Sequence, residues 1–538
     1  MITEHPCELG SRLLRHATEM PETAAFSFYH RHDDLSETIN WGDLWLRASK
    51  IHAAMPDCGR DGTIGVLIFC EDELNFILGL VATWMAGAVA IPAAGGMTAN
   101  LQRRNEHIIR CSQPDLILHD LPQQASVALQ DMIPEAKMVA LMDIYQDGSP
   151  SPDAPVPVAR LLQFTSGSTL DPKPVLLDSQ TIAAGCTALQ KAFGLSSSSV
   201  GVSWLPLYHD MGLIGHVLQP LWTGGHSVLL RSSVFIQQPV KWLATMSLHG
   251  ATITSGPNFA YDRLSDAVKN MDLGEYDLST LETVIVGGEH VAQPTVQNML
   301  SALGPCGLSA DAIAPSYGMA EVTLLASSGQ RKGGPEFDSR HSTMPVANLG
   351  EIVPELVLTL RDPDTQRPCR DGTIGEIFFD GPGIGWVISR DEDWRIARPK
   401  KPISTGDFGY IVDGQIHIVG RSSNKIILRG RNVFAEDVEA LTRASQLAGF
   451  SSGLAAVGLL KQGTESLCIL IEQARRNVPL DLDALNKNLL STLGIKPSQV
   501  VLLRRFTLPR TSSGKIRRAV ARDEFLSGVY EKKVVPHV

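Results

Sequence analysis

The chain has 538 residues, of which 43% are hydrophobic and 19% charged, and its formal net charge is −10. That length exceeds one core and implies two or more domains of globular composition. The acidic balance argues against a general nucleic-acid or anionic-membrane binder. Cys7, Cys58, Cys70, Cys111, Cys186, Cys306, Cys369 and Cys468 are scattered with no Cys-x-x-Cys pair. This points to reduced thiols in a cytoplasm and away from a disulfide framework or a zinc site. The first eight residues lack a basic region leading into an apolar one, so no signal peptide is expected.

In chain order, Thr63–Cys70 reads as an apolar strand. Phe76–Ala94 follows with no charge over nineteen residues. Leu74, Ile77, Leu78, Val81 and Met85 keep helical spacing, Gly87 breaks it, and Val89–Pro92 reads as a strand. A buried helix feeding a buried strand is therefore expected, and no membrane span. Pro114–His119 is the next strand, and Asp147–Pro157 reads as a surface linker. Gly201–Leu205, Ser227–Leu230, Ala251–Ser255 and Leu281–Val286 are further strands, with helical patterns between several of them. The alternation implies an α/β fold, a large unit of sheets flanked by helices over residues 1–422. Within it, about 350–420 is a β-rich subdomain. Residues 423–538 form a small α+β unit, with strands at Leu454–Leu460 and Leu467–Glu472 and helices near 434–446 and 481–493. No internal repeat is found.

Five motifs carry chemistry. Leu161–Pro174 is a strand end running into a hydroxyl-rich loop. Thr165, Ser166, Ser168 and Thr169 offer donors, Gly167 admits a close backbone, and Lys173 brings a charge. The loop can cradle phosphates, or it can be a solvated turn; it lacks the Gly-Lys-Ser/Thr ending that opens a helix. Trp204–Gly215 places His209 and Asp210 after a strand, which also fits an ordinary strand-to-helix loop. Ala314–Thr323 offers Tyr317 and Gly318 as a platform for a purine face, and Glu321 as an oxygen ligand for Mg²⁺, or else a helix start. Ser404–Asp407 and Val419–Arg421 offer a loop carboxylate for two ribose hydroxyls and an arginine beside it, or two solvated turns. Leu508–Arg518 presents Lys515 on a mobile glycine loop, as a charge donor or a solvated basic helix start.

The ordered set resembles the adenylate-forming superfamily of acyl-CoA synthetases, luciferases and peptide-synthetase adenylation domains over nearly the whole chain. Tyr208–Gly215, Gly256–Asp262, Tyr317–Glu321 and Ile427–Asn432 resemble the fatty acyl-AMP ligases within it. The resemblance implies activation of a fatty or related carboxylic acid by ATP with Mg²⁺, giving acyl-AMP and pyrophosphate. The acyl group then passes to the phosphopantetheine thiol of an acyl carrier protein. An acyl-CoA synthetase using free CoA is the alternative, and a non-catalytic binding relative a second one.

By the same resemblance the Thr165–Lys173 loop holds the β- and γ-phosphates. Gly288, Glu289, Ser316, Tyr317, Gly318 and Met319 surround AMP, and Glu321 binds Mg²⁺. Asp407 holds the ribose with Arg421 beside it. Lys515 bridges the carboxylate and the α-phosphate, and His209 lies near the acyl carbonyl and the incoming thiol. A hinge is expected at Ser423 or Asn424, with Asn424 where an aspartate is usual. Pro174 replaces the usual glycine after the loop lysine, and the 322–347 stretch is shorter than in acyl-AMP ligases.

Overall fold

The computed structural model describes residues 7–530 except 31–34, 60, 97–98, 143, 145–153, 166–171, 342–344, 390–391, 398–401, 429–430, 446–449, 462–463, 474–480 and 512–513. Two large sheets and a smaller one build residues up to the Gln415–Arg421 strand. The first sheet has eight strands. Its central run is parallel, Ile313–Gly318, Thr283–Gly287, Ile253–Gly256, Val200–Ser203, His226–Leu230 and Ala24–Tyr29 in spatial order. Antiparallel strands, Leu325–Ser328 and Glu37–Asn40, close its two edges.

The second sheet has seven strands, with Gly65–Phe69 between Val89–Pro92 and Leu116–His119. The Gly-Val-Leu-Ile-Phe run is apolar without alternation because both faces are covered. Val66 and Ile68 enter one core cluster, and Leu67 and Phe69 enter another. The uncharged segment is the expected pair, a helix at Glu73–Met85 and a strand at Val89–Pro92. Asp72 starts the helix by accepting a hydrogen bond from the Asn75 backbone N–H at 3.0 Å. No helix among the described residues is long and apolar enough to cross a membrane.

The β-rich region is a four-stranded antiparallel sheet, Val357–Arg361, Gly375–Asp380, Ile403–Val412 and Gln415–Arg421. After a short 3₁₀ turn at Ser422–Asn424 the chain forms a hairpin, Lys425–Leu428 with Arg431–Phe434. It then builds a three-stranded sheet, Phe450–Lys461, Thr464–Gln473 and Gln499–Arg504. The third strand runs parallel to the second and was not expected from the sequence. Helices occupy Ala435–Ala444 and Leu482–Leu493 as expected. Alternate residues of the middle strand face two separate cores, Ile469 and Ile471 in one, Cys468 and Leu470 in the other. None of the eight cysteines is joined in a disulfide, and six are buried. Most of the expected 147–157 linker lies outside the described residues.

Trp84, 1% exposed, ties the Glu73–Met85 helix to the second sheet by donating from Nε1 to the Arg160 carbonyl at 2.9 Å. Trp84→Ala opens a large cavity and removes one of the two donors to that carbonyl, which Ala90 N–H also meets at 3.0 Å. It should cost about 3–5 kcal/mol, read as a lower midpoint of urea denaturation.

Candidate active site

The central parallel strands of the first sheet end on one edge, and the loops leaving them converge there. His209 follows Val200–Ser203, Asn258 follows Ile253–Gly256, and Glu289 follows Thr283–Gly287. Ser316, Tyr317 and Gly318 are the last residues of their strand. The Val200–Ser203 strand has its sequence successor on one side and the later strands on the other. Such a switch point leaves a crevice outside the strand ends. Here it is a cavity of about 700 Å³. Thr165, Lys173, His209, Gly288, Glu289, Ser316, Tyr317, Gly318, Met319, Glu321, Asp407, Arg421, Ser423, Asn424 and Lys515 all line it. Ser166, Gly167, Ser168 and Thr169 lie outside the described residues.

The hydroxyl-rich loop springs from an antiparallel pair, Leu161–Phe164 with Pro174–Leu177. Thr165 N–H donates to the Lys173 carbonyl at 3.0 Å, and Lys173 N–H donates to Thr165 Oγ1 at 3.1 Å. Pro174 stands opposite Phe164, next to this bonded pair, and its carbonyl accepts from Ile388 N–H at 3.0 Å. Antiparallel pairs alternate bonded and non-bonded positions, so a proline in the first strand position gives up no bond to Phe164.

The carboxylate of Asp407 is not on a loop, as expected, but within the Ile403–Val412 strand. Pairing of that strand with Gln415–Arg421 sets Asp407 opposite Arg421, which fixes both side chains on one face. Arg421 Nε meets Oδ1 at 2.8 Å, and Tyr317 Oη donates to Oδ2 at 2.7 Å. Asp407 is 7% exposed. Burial raises its pKa against the pull of Arg421 and Tyr317. Burial, then the Asp407 charge, raise the Tyr317 pKa well above 10.0, so the phenol stays a donor. Each carboxylate oxygen has two lone pairs, so both can accept a further hydroxyl while keeping these partners. The Tyr317 ring lies tilted against Phe379, with centroids 6.1 Å apart. Ser316 Oγ is turned inward to the Ala314 carbonyl at 3.0 Å.

Glu321 sits in a 3₁₀ turn, Ala320–Val322, and not at a helix start. The chain then reverses through Thr323, where φ is 68° and Leu324 N–H donates to the Val322 carbonyl at 2.9 Å. This γ-turn is a strained conformation for a β-branched residue. It is held from below, where Thr323 Oγ1 donates to the Thr181 carbonyl at 3.2 Å. A Cβ at Gly318 would stand 1.7 Å from the Leu324 carbonyl oxygen, so only glycine permits the reversal. The reversal leaves Glu321 lining the cavity. Burial raises its pKa, while Arg421 and Lys173 favour its charged form. One carboxylate facing a phosphate-sized space suits Mg²⁺, which takes one or two carboxylates and fills its other positions with phosphate oxygens and water.

Lys515 reaches the same place from the C-terminal unit. A tight turn carries it, with Thr511 N–H donating to the Lys515 carbonyl at 2.7 Å and Gly514 at φ 85° against the Phe259 ring. A Cβ at Gly288 would stand 3.2 Å from Lys515 Nζ, so the bare glycine makes room for the ammonium. Burial lowers the Lys515 pKa, and the Asp210 and Glu289 charges oppose that. Asp210 was legible only as the neighbour of His209. Burial would raise its pKa, but His209 and Lys515 together hold it down at about 2. His209 is 6% exposed, with Nδ1 2.6 Å from Asp210 Oδ1, and Nε2 has no hydrogen-bond partner among the described residues.

The Ser422–Asn424 turn joins the two regions beneath the cavity. Ser423 is exposed, and Asn424 Nδ2 donates to Glu436 Oε1. An aspartate there would face the Glu436 carboxylate, which gives a physical reason for the amide.

This geometry can be compared with known proteins. The chain is 29% identical to a medium-chain-fatty-acid–[acyl-carrier-protein] ligase of Moorena producens, covering 94% of this chain and 93% of that one. It is 28% identical to a long-chain-fatty-acid–AMP ligase of Mycobacterium marinum, covering 97% and 98%. In fold it matches a solved structure from studies of fatty acyl-adenylate ligases of E. coli and L. pneumophila, with a TM-score of 0.83 and 24% identity. That match covers 98% of this chain and 99% of the other. The profile of the AMP-binding enzymes matches residues 13–385, which include the first large sheet, all of the second but its Trp386–Val387 edge strand, and most of the crevice, and the chain belongs to that family.

Proposed function

We propose that this protein is a fatty acyl-AMP ligase that loads an acyl carrier protein. The observation that carries this reading is the meeting of Lys515 with Gly288, Asp210 and Glu289 in the cavity that Glu321 and Asp407 also line. Separate segments of the chain supply these groups, and a cation, a metal-binding carboxylate and a ribose-binding carboxylate are what in-line attack on ATP requires.

In the first half-reaction a carboxylate oxygen of the acid attacks the α-phosphorus, and the bond to pyrophosphate breaks. Asp407 holds the ribose, with Tyr317 and Arg421 fixing its orientation. Thr165 and Lys173 hold the leaving phosphates, together with the hydroxyls between them. Glu321 would hold Mg²⁺, which supplies neutralisation of phosphate charge. Lys515 binds the acid's oxygen and the α-phosphate as charge develops. In the second, a phosphopantetheine thiol attacks the acyl carbon and AMP leaves. Residues 423–538 move as a unit about Ser423 and Asn424, withdrawing Lys515, and His209 faces the incoming thiol. Similarity along nearly the whole length to a ligase named for a carrier protein supports carrier loading over CoA. The scattered free thiols agree with a cytoplasmic setting.

The direct test supplies ATP and a fatty acid, with holo-carrier protein in one reaction and CoA in another. Acyl-carrier product is expected, and efficient acyl-CoA formation without carrier loading refutes the choice of acceptor. Lys515→Ala should slow acyl-AMP formation by about 10²–10³ while leaving transfer from supplied acyl-AMP largely intact. Because the Lys515 pKa lies below its usual 10.5, acyl-AMP formation should fall on the alkaline side with a midpoint under that value. Lys515→Arg, protonated throughout that range, should lose this limb even if slower. Asn424→Asp sets a charge against Glu436 and should favour departure from this arrangement, seen as slower adenylation and faster trypsin cleavage near residue 424.

A further inference from the structure

Beyond the catalytic groups the cavity runs inward between Leu189, Leu195, Ile253 and Leu324, an apolar passage suited to an acyl chain. Its inner end is not apolar. The helix that begins after His209 widens into a π-helical stretch at Ile214–Leu218, where Gln219 N–H donates five residues back to the Ile214 carbonyl. Such a stretch adds a residue to the turn and shifts the faces before and after it. His216 and Gln219 on this segment both line the cavity. Gln219 is 3% exposed, and neither its Oε1 nor its Nε2 has a hydrogen-bond partner among the described residues. An amide buried with both ends unmet is costly, and here it stands in the wall of a space built to receive a ligand.

We propose, on the reading that this cavity adenylates an acid, that the acid carries a hydroxyl on its chain, held by Gln219 with His216 and Ser255 beside it. A hydroxyl both donates and accepts, which matches the free oxygen and the free amide hydrogens of Gln219. His216 Nε2 lies 2.7 Å from Ser255 Oγ, and both line the same wall. Burial holds His216 neutral, with a pKa of about 4, and His226 beyond it likewise at about 4. Among the described residues no cation therefore stands at this end to balance an anionic tail, and the group recognised is neutral. The apolar passage and the polar end together select a hydroxylated acid over a plain fatty acid. Beyond Gln219 a void of about 20 Å³, lined also by Ser199, Gly201 and His226, has room for about one water. A water held there is the competing way to satisfy the amide.

The test measures pyrophosphate release and acyl-AMP formation by the full chain. It uses straight-chain acids of graded length and their monohydroxylated counterparts, with the hydroxyl moved along the chain. One hydroxylated acid should exceed its plain counterpart by about 10- to 100-fold in kcat/KM. Gln219→Met, similar in volume and apolar, should shrink that ratio towards one, and Ser255→Ala should shrink it less. Plain acids used as well as every hydroxylated one, or a ratio unmoved in both variants, overturn the inference while adenylation stands. If no acid of either kind yields acyl-AMP, the adenylation reading itself falls and takes this inference with it.

Discussion

The site is organised around one buried carboxylate. Asp407 accepts from Tyr317 on the large parallel sheet and pairs with Arg421 on the neighbouring strand of the small sheet. The Tyr317 contact joins two sheets that have separate hydrogen-bond ladders. The two contacts also fix the last ordered strand before the Ser422–Asn424 turn, so the position from which the C-terminal unit hangs is tied to the crevice. A buried carboxylate is costly unless paired and hydrogen-bonded, and Asp407 is both. The pairing keeps an anion in the cavity wall with lone pairs left over for a ligand.

The remaining charges are spaced in a comparable way. Asp210 and Glu289 face Lys515, while Arg421 and Lys173 face Glu321. Each of these charges has opposite charge within its field, and this lets Lys173 and Lys515 line one cavity with Asp210, Glu289, Glu321 and Asp407. Glycine makes the geometry possible at two points. Gly318 admits the Leu324 carbonyl, and Gly288, at φ 77°, admits Lys515. Strain at Thr323, next to Glu321, is the counterpart, a local cost sustained by the Thr323 bond to the Thr181 carbonyl.

Much of the fold was legible in the sequence because its causes are local. Thr63–Cys70 reads as a strand from its apolar character, and Gly65–Phe69 within it is one. The helix after Asp72 reads from its spacing. The Gln499–Arg504 strand escaped notice because one short apolar run carries no periodicity that separates strand from helix. Asp407 was misread as a loop residue because Ser-Thr-Gly-Asp is turn-like in composition, whereas the pairing with Gln415–Arg421 draws it into a sheet. Propensity yields there to partners supplied by the rest of the chain.

The sequence by itself determined the layered α/β character, the strand-to-loop positions of the motifs, and the residue types a nucleotide-dependent ligation needs. These follow from patterns within a few residues of one another. Only the tertiary structure decided that Lys515 enters the cavity beside Gly288 and that Tyr317 and Arg421 share one carboxylate. It alone decided that Gln219 is buried with its amide unmet at the inner end of the acyl passage. Those facts depend on the packing of segments far apart in the chain and on the extra residue in one helical turn. No periodicity within a single segment records either.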